Sequence, residues 1–187
     1  MFILQAMALN IKIDFNHCYK TELVVADFRY STFESVLIDG SSIKLGIKIS
    51  SEEHLYMPDV YNMSFGPGNE VHQVDDQAKL THQDYSKVFS TIIFEGLSFL
   101  NEHKNKYLGI DGSNTARAYM YYRCIQNNFK YLNSYFVIYG VNYYLRILRD
   151  SNIDYEPEDL LTIPKIITYG ENIKPAKLYN YLIFSLK

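Results

Sequence analysis

Alternating apolar and polar residues predict a hairpin in the first third of the chain. Residues 33–38 and residues 43–49 alternate in this way, and the turn-forming residues 39–42 separate them. A strand with one buried and one solvated face has this period of two, and Asp-Gly is a frequent hairpin turn. The same alternation places Lys44 and Lys48 together on the outer face of the second strand.

The period of the apolar positions changes after residue 80. Residues 60–65 still read as a third antiparallel strand, whereas the apolar residues between Thr81 and His103 recur at helical spacing. Thr81 and Asp84 have the T-x-x-D arrangement of a helix cap. We therefore predict a long amphipathic helix that ends near His103.

A second helix is predicted inside the central segment, residues 106–140. A short apolar run leads to a Gly-Ser turn, and Ser113 or Asn114 suits the N-cap of a helix that lasts until Asn127. Residues 136–140 then supply another strand. This segment reads as strand, turn, helix and strand, and its turn is the place where we expect a site.

On a helical wheel, the second helix has an apolar side and a polar side. The apolar side consists of Ala116, Ala118, Met120, Tyr121, Cys124 and Ile125. The opposite side consists of Tyr119, Tyr122, Arg123 and Gln126. We expect the first set to pack on the sheet and the second set to face solvent.

The two ends of the chain are harder to assign. Alternation in residues 11–15 favours a strand, and residues 178–184 are apolar enough for a strand buried within the sheet. We predict one domain over residues 1–187. Residues 1–30 form an N-terminal extension of uncertain pairing, and residues 150–176 form a loop-rich insertion.

The order of elements predicts an α+β fold. At 187 residues and 48% hydrophobic, the chain can build one core of its own. The main elements follow one another as β-β-β-α-β-α-β, with two principal helices. A helical crossover makes neighbouring strands parallel, so we expect a mixed, mainly antiparallel sheet.

The charge is uneven along the chain. The formal net charge is −3, which argues against a generally basic nucleic-acid coat protein. The central segment is nevertheless basic, and 18 Tyr and 11 Phe give the chain many rings that can serve a core or a binding surface. The cations between residues 104 and 149 are Lys104, Lys106, Arg117, Arg123, Lys130, Arg146 and Arg149. They form either a solvated face or an anion-binding surface.

The cysteines and histidines show no metal-ligand spacing. Two Cys and five His are scattered along the chain, so we predict no metal, no cofactor and no disulfide framework. No run approaches the roughly 20 apolar residues that cross a bilayer. The N-terminal segment lacks the basic region of a signal peptide. We expect a cytoplasmic protein without a membrane partner.

Arg117 occupies an unfavourable position. It lies in the apolar arc of the second helix and in its first turn, where the helix dipole disfavours a cation. One explanation is a structural ion pair with Asp75, Asp76 or Asp111. The other is an anion-binding role beside the free amides of residues 113–115.

Two resemblances rest on these motifs. NMSFGPG, the VDD segment, a long helix, IDGSNTARAYMYY and FVIYG together resemble an uncharacterised family of small bacterial proteins over residues 33–187. That resemblance implies an α+β fold and no assigned activity. Asn114, Ala118 and Tyr121 on a helix between two strands also resemble the second half of the acetyltransferase fold, which binds acyl-CoA. In that fold a glycine-containing pyrophosphate loop opens the preceding helix, where this chain has THQDYSKVF.

The main functional hypothesis is a non-enzymatic binding module that recognises a protein or an anionic ligand through the basic, Tyr-rich turn and helix. Its candidate ligand-binding residues are Gly112, Ser113, Asn114, Arg117, Tyr121 and Arg123. A link to phage defence or mobile elements and a homo-oligomeric state belong to this hypothesis. The alternatives are a diverged acyl-CoA-dependent transferase and a nucleic-acid-binding or toxin-type protein, which the acidic pI disfavours. The sequence leaves open whether the protein is an enzyme.

Overall fold

The computed structural model describes residues 11–25, 27–68, 72–112, 114–142, 163–171, 173 and 178–187. The described strands are β1 (Glu22–Leu23), β2 (Tyr30–Val36), β3 (Ser42–His54), β4 (Met57–Pro67), β5 (Tyr107–Asp111), β6 (Phe136–Val141), β7 (Lys165–Ile166) and β8 (Tyr181–Leu186). The described helices are α1 (Tyr85–Glu102), α2 (Thr115–Asn127) and the single turn α3 (Phe129–Leu132).

The strands form one mixed sheet in the order β1-β2-β3-β4-β5-β8-β6-β7. The strands β1 to β4 pair antiparallel, β4 and β5 pair parallel, and the remaining pairs are antiparallel. The parallel pair follows from the crossover through α1, as predicted. The α+β class and the mainly antiparallel sheet are therefore confirmed.

The predicted hairpin is β2 and β3. Phe33 lies opposite Leu45, and both side chains are buried on the face of the sheet that packs against the helices. Gly40 adopts a φ of +84°, a conformation that glycine adopts at little cost, so the turn needs a residue of this kind. The polar side chains of β3, including Lys48, lie on the opposite face.

The long helix begins with a different cap from the predicted one. Asp84, rather than Thr81, is the N-cap, and its carboxylate accepts a hydrogen bond from the Lys87 amide at 2.8 Å. Thr81 cannot serve because the chain there still runs beside β2. The Thr81 carbonyl accepts from the Ile38 amide at 3.0 Å, and the Gln83 amide donates to Val36 at 2.9 Å.

The helix α2 is buried on two sides. Cys124 and Ile125 pack into the core as predicted. Tyr122 and Gln126, which were expected to face solvent, are also buried because residues 168–171 cover them. The Tyr122 hydroxyl and the Gln126 amide donate to backbone carbonyls in this segment at 2.6 and 2.9 Å.

Residues 11–21 form a segment without a helix or strand that we call the strap, and the strand predicted for residues 11–15 is wrong. The strap crosses the helices, and its own side chains Ile11 and Ile13 are buried in the core. Its backbone amides donate to side chains of the helical layer, where a strand would bond to another backbone. The acceptors are Ser86, Asn128, Ser90, Tyr131 and Thr91, at 2.8 to 3.0 Å.

The last predicted strand lies inside the sheet, where β8 pairs with both β5 and β6. The extension of residues 1–30 contains the strap and β1, which pairs with β2. The segment proposed as an insertion contains β7, and β7 pairs with β6. Residues 143–162 lie outside the described part of the chain.

A buried histidine joins the segment before α1 to β2. The His82 Nδ1 lies 2.9 Å from the Ser35 hydroxyl, and Ser35 is fully buried. Burial lowers the pKa of His82, and burial likewise lowers the pKa of His54. The unfolded chain therefore binds protons at these residues at a higher pH than the folded chain does.

We expect the free energy of unfolding to fall as the pH drops from about 7.5 to about 5.5, across the ordinary histidine pKa of about 6.5. In the variant His82→Asn, the slope of the free energy of unfolding against pH becomes shallower but stays positive, because His54 still contributes. Urea melts at a series of pH values measure it. An identical slope in the variant would contradict a titrating role for His82.

Candidate functional site

The strands β4 and β5 separate at their carboxyl ends. They pair only from Val60 with Tyr107 to Asn62 with Gly109. Beyond this point β4 continues beside β3 until Pro67, while the last residues of β5 pair with β8. The carboxyl ends of parallel strands are a common place for ligands in open sheets, and here the separation leaves a cleft.

The cleft has a volume of about 380 Å³, within the range of small-molecule sites. Its lining combines charged, neutral polar and apolar side chains. The lining residues are Lys48, Ser50, Asn62, Met63, Ser64, Phe65, Gln73, Val74, Asp76, Ile110, Asp111, Arg117 and Tyr121.

One wall of the cleft is the segment that follows β4. The Asp75 amide donates to the Pro67 carbonyl at 3.0 Å, which folds this segment back over the strand. A Cβ at Gly66 would lie 2.0 Å from the Asp75 carbonyl oxygen, so only glycine allows this approach. The folded-back segment thereby holds Asp76 at the cleft.

The opposite wall is the end of β5 and the first two turns of α2, which contribute Asp111, Arg117 and Tyr121. Burial raises the pKa of Asp111, and the negative charge of Asp76 raises it further. Arg117 and His54 lower the pKa of Asp111. A carboxylate with a perturbed pKa in a cleft is a mark of functional sites.

The predicted turn has a structural role. Gly112 is buried, and a Cβ there would lie 2.7 Å from the Ala118 Cα, so glycine allows α2 to pack closely. Asn114 is the N-cap of α2 and accepts from the Arg117 amide at 3.0 Å. The amide in this hydrogen bond belongs to Arg117 and is not one of the amides of residues 113–115 that were expected to bind an anion. Ser113 lies outside the described residues.

The predicted side chains divide into two groups. Arg117 and Tyr121 line the cleft, and Arg117 is half-buried there. Arg123 is not among the lining residues and instead acts electrostatically on Tyr122. Arg146 and Arg149 lie outside the described part of the chain.

The carboxylates proposed as partners of Arg117 also divide. Asp76 and Asp111 line the cleft together with Arg117. Asp75 accepts from the Gln77 amide at 3.0 Å and does not line the cleft. A pair between Arg117 and Asp76 or Asp111 stays a prediction, although all three side chains share one cavity.

The floor of the cleft was not predicted from the sequence. Lys48, Ser50, Asn62 and Ser64 project from one face of β3 and β4, as the alternation of these strands indicates. The available signal was the alternation of polar residues in β3 and in β4, which pair antiparallel and place these residues on one face. Nothing local in the sequence connects this face with Arg117, which lies on a helix far along the chain.

A smaller apolar cavity of about 30 Å³ lies in the core behind the cleft. Phe65, Ile110 and Tyr121 line both spaces and form the partition between them. Burial raises the pKa of Tyr121 to about 12, so its hydroxyl stays neutral and can donate or accept a hydrogen bond.

The described residues contain no group of three or more Cys, His, Asp or Glu that could hold a metal ion. None of the helices in the described ranges is long and apolar enough to cross a membrane. Both cysteines, Cys18 and Cys124, are free thiols.

Fold and site together define an α+β protein with a charged cleft at the open ends of its parallel strand pair. Residues 16–157 match the model of DUF6934, a family of unknown function, and the chain belongs to that family. The matched residues include the whole lining of the cleft, whereas β8 follows them. Searches of curated proteins and of solved structures find no match.

Proposed function

We propose that this protein is a non-enzymatic binding module that holds a small anionic ligand in the cleft between β4 and β5. The observation that carries this proposal is the presence of two half-buried cations, Lys48 and Arg117, in one cavity of ligand size. Hydrogen bonds from cationic side chains to carboxylate or phosphate oxygens are about twice as strong as neutral ones.

Neutral polar groups complete the anion site. The Tyr181 hydroxyl donates to the Asn62 Oδ1, which leaves the Asn62 amino group to donate into the cleft. The hydroxyls of Ser50 and Ser64 lie on the same floor. The Lys48 ammonium group has three donor hydrogens, and the ion pairs between described residues do not include it.

A second candidate function is acyl-CoA-dependent transfer. It is favoured by Tyr121, which lies on the wall of the cleft, and by the location of the cleft between two parallel strands that separate. It is opposed by the start of α1, where the Asp84 carboxylate already caps the helix and also contacts His17 at 2.8 Å. An anionic cap repels a pyrophosphate group, so binding of acyl-CoA at this helix is unfavourable.

The proposed location is the cytoplasm. Cys18 and Cys124 are both free, and free thiols persist in a reducing compartment.

The test is a titration of the ¹⁵N-labelled protein with straight-chain carboxylates, from acetate to hexanoate, followed by amide NMR. We expect shifts at residues 62–65 and 117–121. Lys48→Gln and Arg117→Gln should each weaken binding about tenfold, because each removes a charge-assisted hydrogen bond. Thermal melts of each variant establish that it is folded.

Two matched controls lie next to the site. Lys44→Gln removes a cation from the same face of β3, where Lys44 pairs with Glu22 at 3.4 Å. Arg123→Gln removes a cation from α2 outside the cleft. Both should bind as the parent does. Carboxylate binding that survives in Lys48→Gln and Arg117→Gln, or no shift at the cleft, would overturn the proposal.

Acetyl-CoA is titrated into the same sample to examine the second candidate. Shifts at residues 84–88 and at Tyr121 would support the transferase. The absence of binding at millimolar acetyl-CoA would exclude the transferase.

A further inference from the structure

The charges of the cleft are balanced before a ligand enters. Lys48 and Arg117 contribute two cations, and Asp76 and Asp111 contribute two carboxylates. A ligand that is only anionic draws the two cations to itself. The two carboxylates then lose the positive charge that offsets their own.

The two carboxylates already repel each other. The negative charge of Asp76 raises the pKa of Asp111 beyond the effect of burial, even though Arg117 and His54 oppose the rise. Asp76 and Asp111 come from opposite walls, namely the segment after β4 and the end of β5. A positive group between them would relieve this repulsion and replace the charge that the bound anion takes away.

We propose that the ligand is a zwitterion, with an ammonium group between Asp76 and Asp111 and an anionic group at Lys48 and Arg117. This inference rests on the proposed function, because it uses the same cleft and the same two cations. The ligand class is thus an amino acid or an amine that also carries a carboxylate or phosphate.

The hydrogen-bond inventory of the cleft fits such a ligand. An ammonium group has only donors, and the two carboxylates have only acceptors when ionised. The anionic group has only acceptors, and Lys48, Arg117 and the Asn62 amino group are donors. The strands β3 and β5, which carry Lys48 and Asp111, lie roughly 10 Å apart across β4 where the three strands pair, since neighbouring strands are about 4.8 Å apart, and they lie further apart at the cleft, where β4 and β5 separate. The two charges of the ligand should therefore be separated by several bonds.

The test compares three matched series of probes by the same amide NMR titration. The ω-amino carboxylates from glycine to 8-aminooctanoate carry both charges, the straight-chain carboxylates carry the negative charge alone, and the n-alkylamines carry the positive charge alone. We expect the best ω-amino carboxylate to bind about tenfold or more tighter than the carboxylate of equal chain length.

Variants locate the ammonium group. Asp111→Asn and Asp76→Asn should each bring the affinity ratio between ω-amino carboxylate and carboxylate close to one, while the carboxylate still binds. Asp75→Asn is the matched control, because Asp75 is in the same segment but faces the Gln77 amide. It should leave the ratio unchanged.

The outcomes separate this inference from the proposed function. If carboxylates bind and an added amino group brings no gain at any length, the zwitterion is excluded while the anion site stands. If neither carboxylates nor ω-amino carboxylates bind, both proposals fail. A ratio that persists in both Asp111→Asn and Asp76→Asn would place the ammonium group elsewhere and overturn the inference.

Discussion

Replacing Asn128 by alanine should lower the free energy of unfolding by about 3 kcal/mol, because it removes three buried hydrogen bonds at once. The Asn128 Oδ1 accepts from the Ile13 amide at 2.8 Å. Its Nδ2 donates to the carbonyls of Ile11 and Cys124 at 2.9 and 2.8 Å. Without this side chain, backbone groups of the strap and of α2 stay buried without their partner.

Urea melts measure this loss, and hydrogen exchange reports where it acts. We expect the Ile13 amide to exchange much faster in Asn128→Ala, because the strap opens more often. The control is Asn101→Ala on the exposed side of α1, which should change the free energy by less than about 0.5 kcal/mol. A loss below about 1 kcal/mol in Asn128→Ala, with Ile13 still protected, would show that the strap is held by other contacts.

Gly109→Ala should destabilise the protein by about 2 to 3 kcal/mol through overpacking. A Cβ at this position would lie 1.9 Å from the Tyr181 hydroxyl oxygen and 2.4 Å from the ring carbon that bears it. Tyr181 is only 2% exposed and packs with Val60 and Val141 on the face of the sheet opposite α1 and α2. The ring therefore cannot move aside without disturbing its neighbours.

A double-mutant cycle identifies the clash. In the Tyr181→Leu background, Gly109→Ala should cost at least about 1 kcal/mol less than in the parent, because the smaller side chain leaves room. Urea melts of the four proteins give the coupling energy. Strictly additive effects would show that the loss at position 109 arises from the backbone of β5 and not from Tyr181.

The same substitution also bears on the cleft. The Tyr181 hydroxyl orients the Asn62 side chain, and Asn62 lies on the cleft floor. A displaced Tyr181 should weaken carboxylate binding in Gly109→Ala even at temperatures where the variant is fully folded. Position 109 thus connects the packing of the sheet with the geometry of the site.

Local patterns in the sequence predicted most elements of the fold. Apolar residues recur with a regular period within each of three segments, namely the hairpin of β2 and β3, the helix α1 and the helix α2. The strap could not be predicted in this way. Its alternation resembles a strand, but the groups that bind its backbone belong to Ser90, Asn128 and Tyr131, which are at least 76 residues away along the chain.

The candidate site was predicted in part. Arg117 was a candidate site residue because a cation in the first turn of a helix needs a partner. In the structure, Arg117 lines the cleft. Lys48 was assigned to the correct face of its strand, but its distance to Arg117 depends on how β3, β4 and β5 pair. Tyr122 was placed on the solvent side because the wheel contains no information about the segment that covers it.

The position of β8 determines the order in which the sheet can be assembled. β8 lies between β5 and β6 but follows both of them in the chain, and Asp111 pairs with Tyr181, which lies 70 residues further on. Until β8 docks, β5 has an open edge, and the sheet exists as two separate blocks. Such non-local pairing is slow, because a long loop must close first. Since β5 forms one wall of the cleft, the ability to bind a ligand should be gained in a single late step, when β8 joins the two blocks.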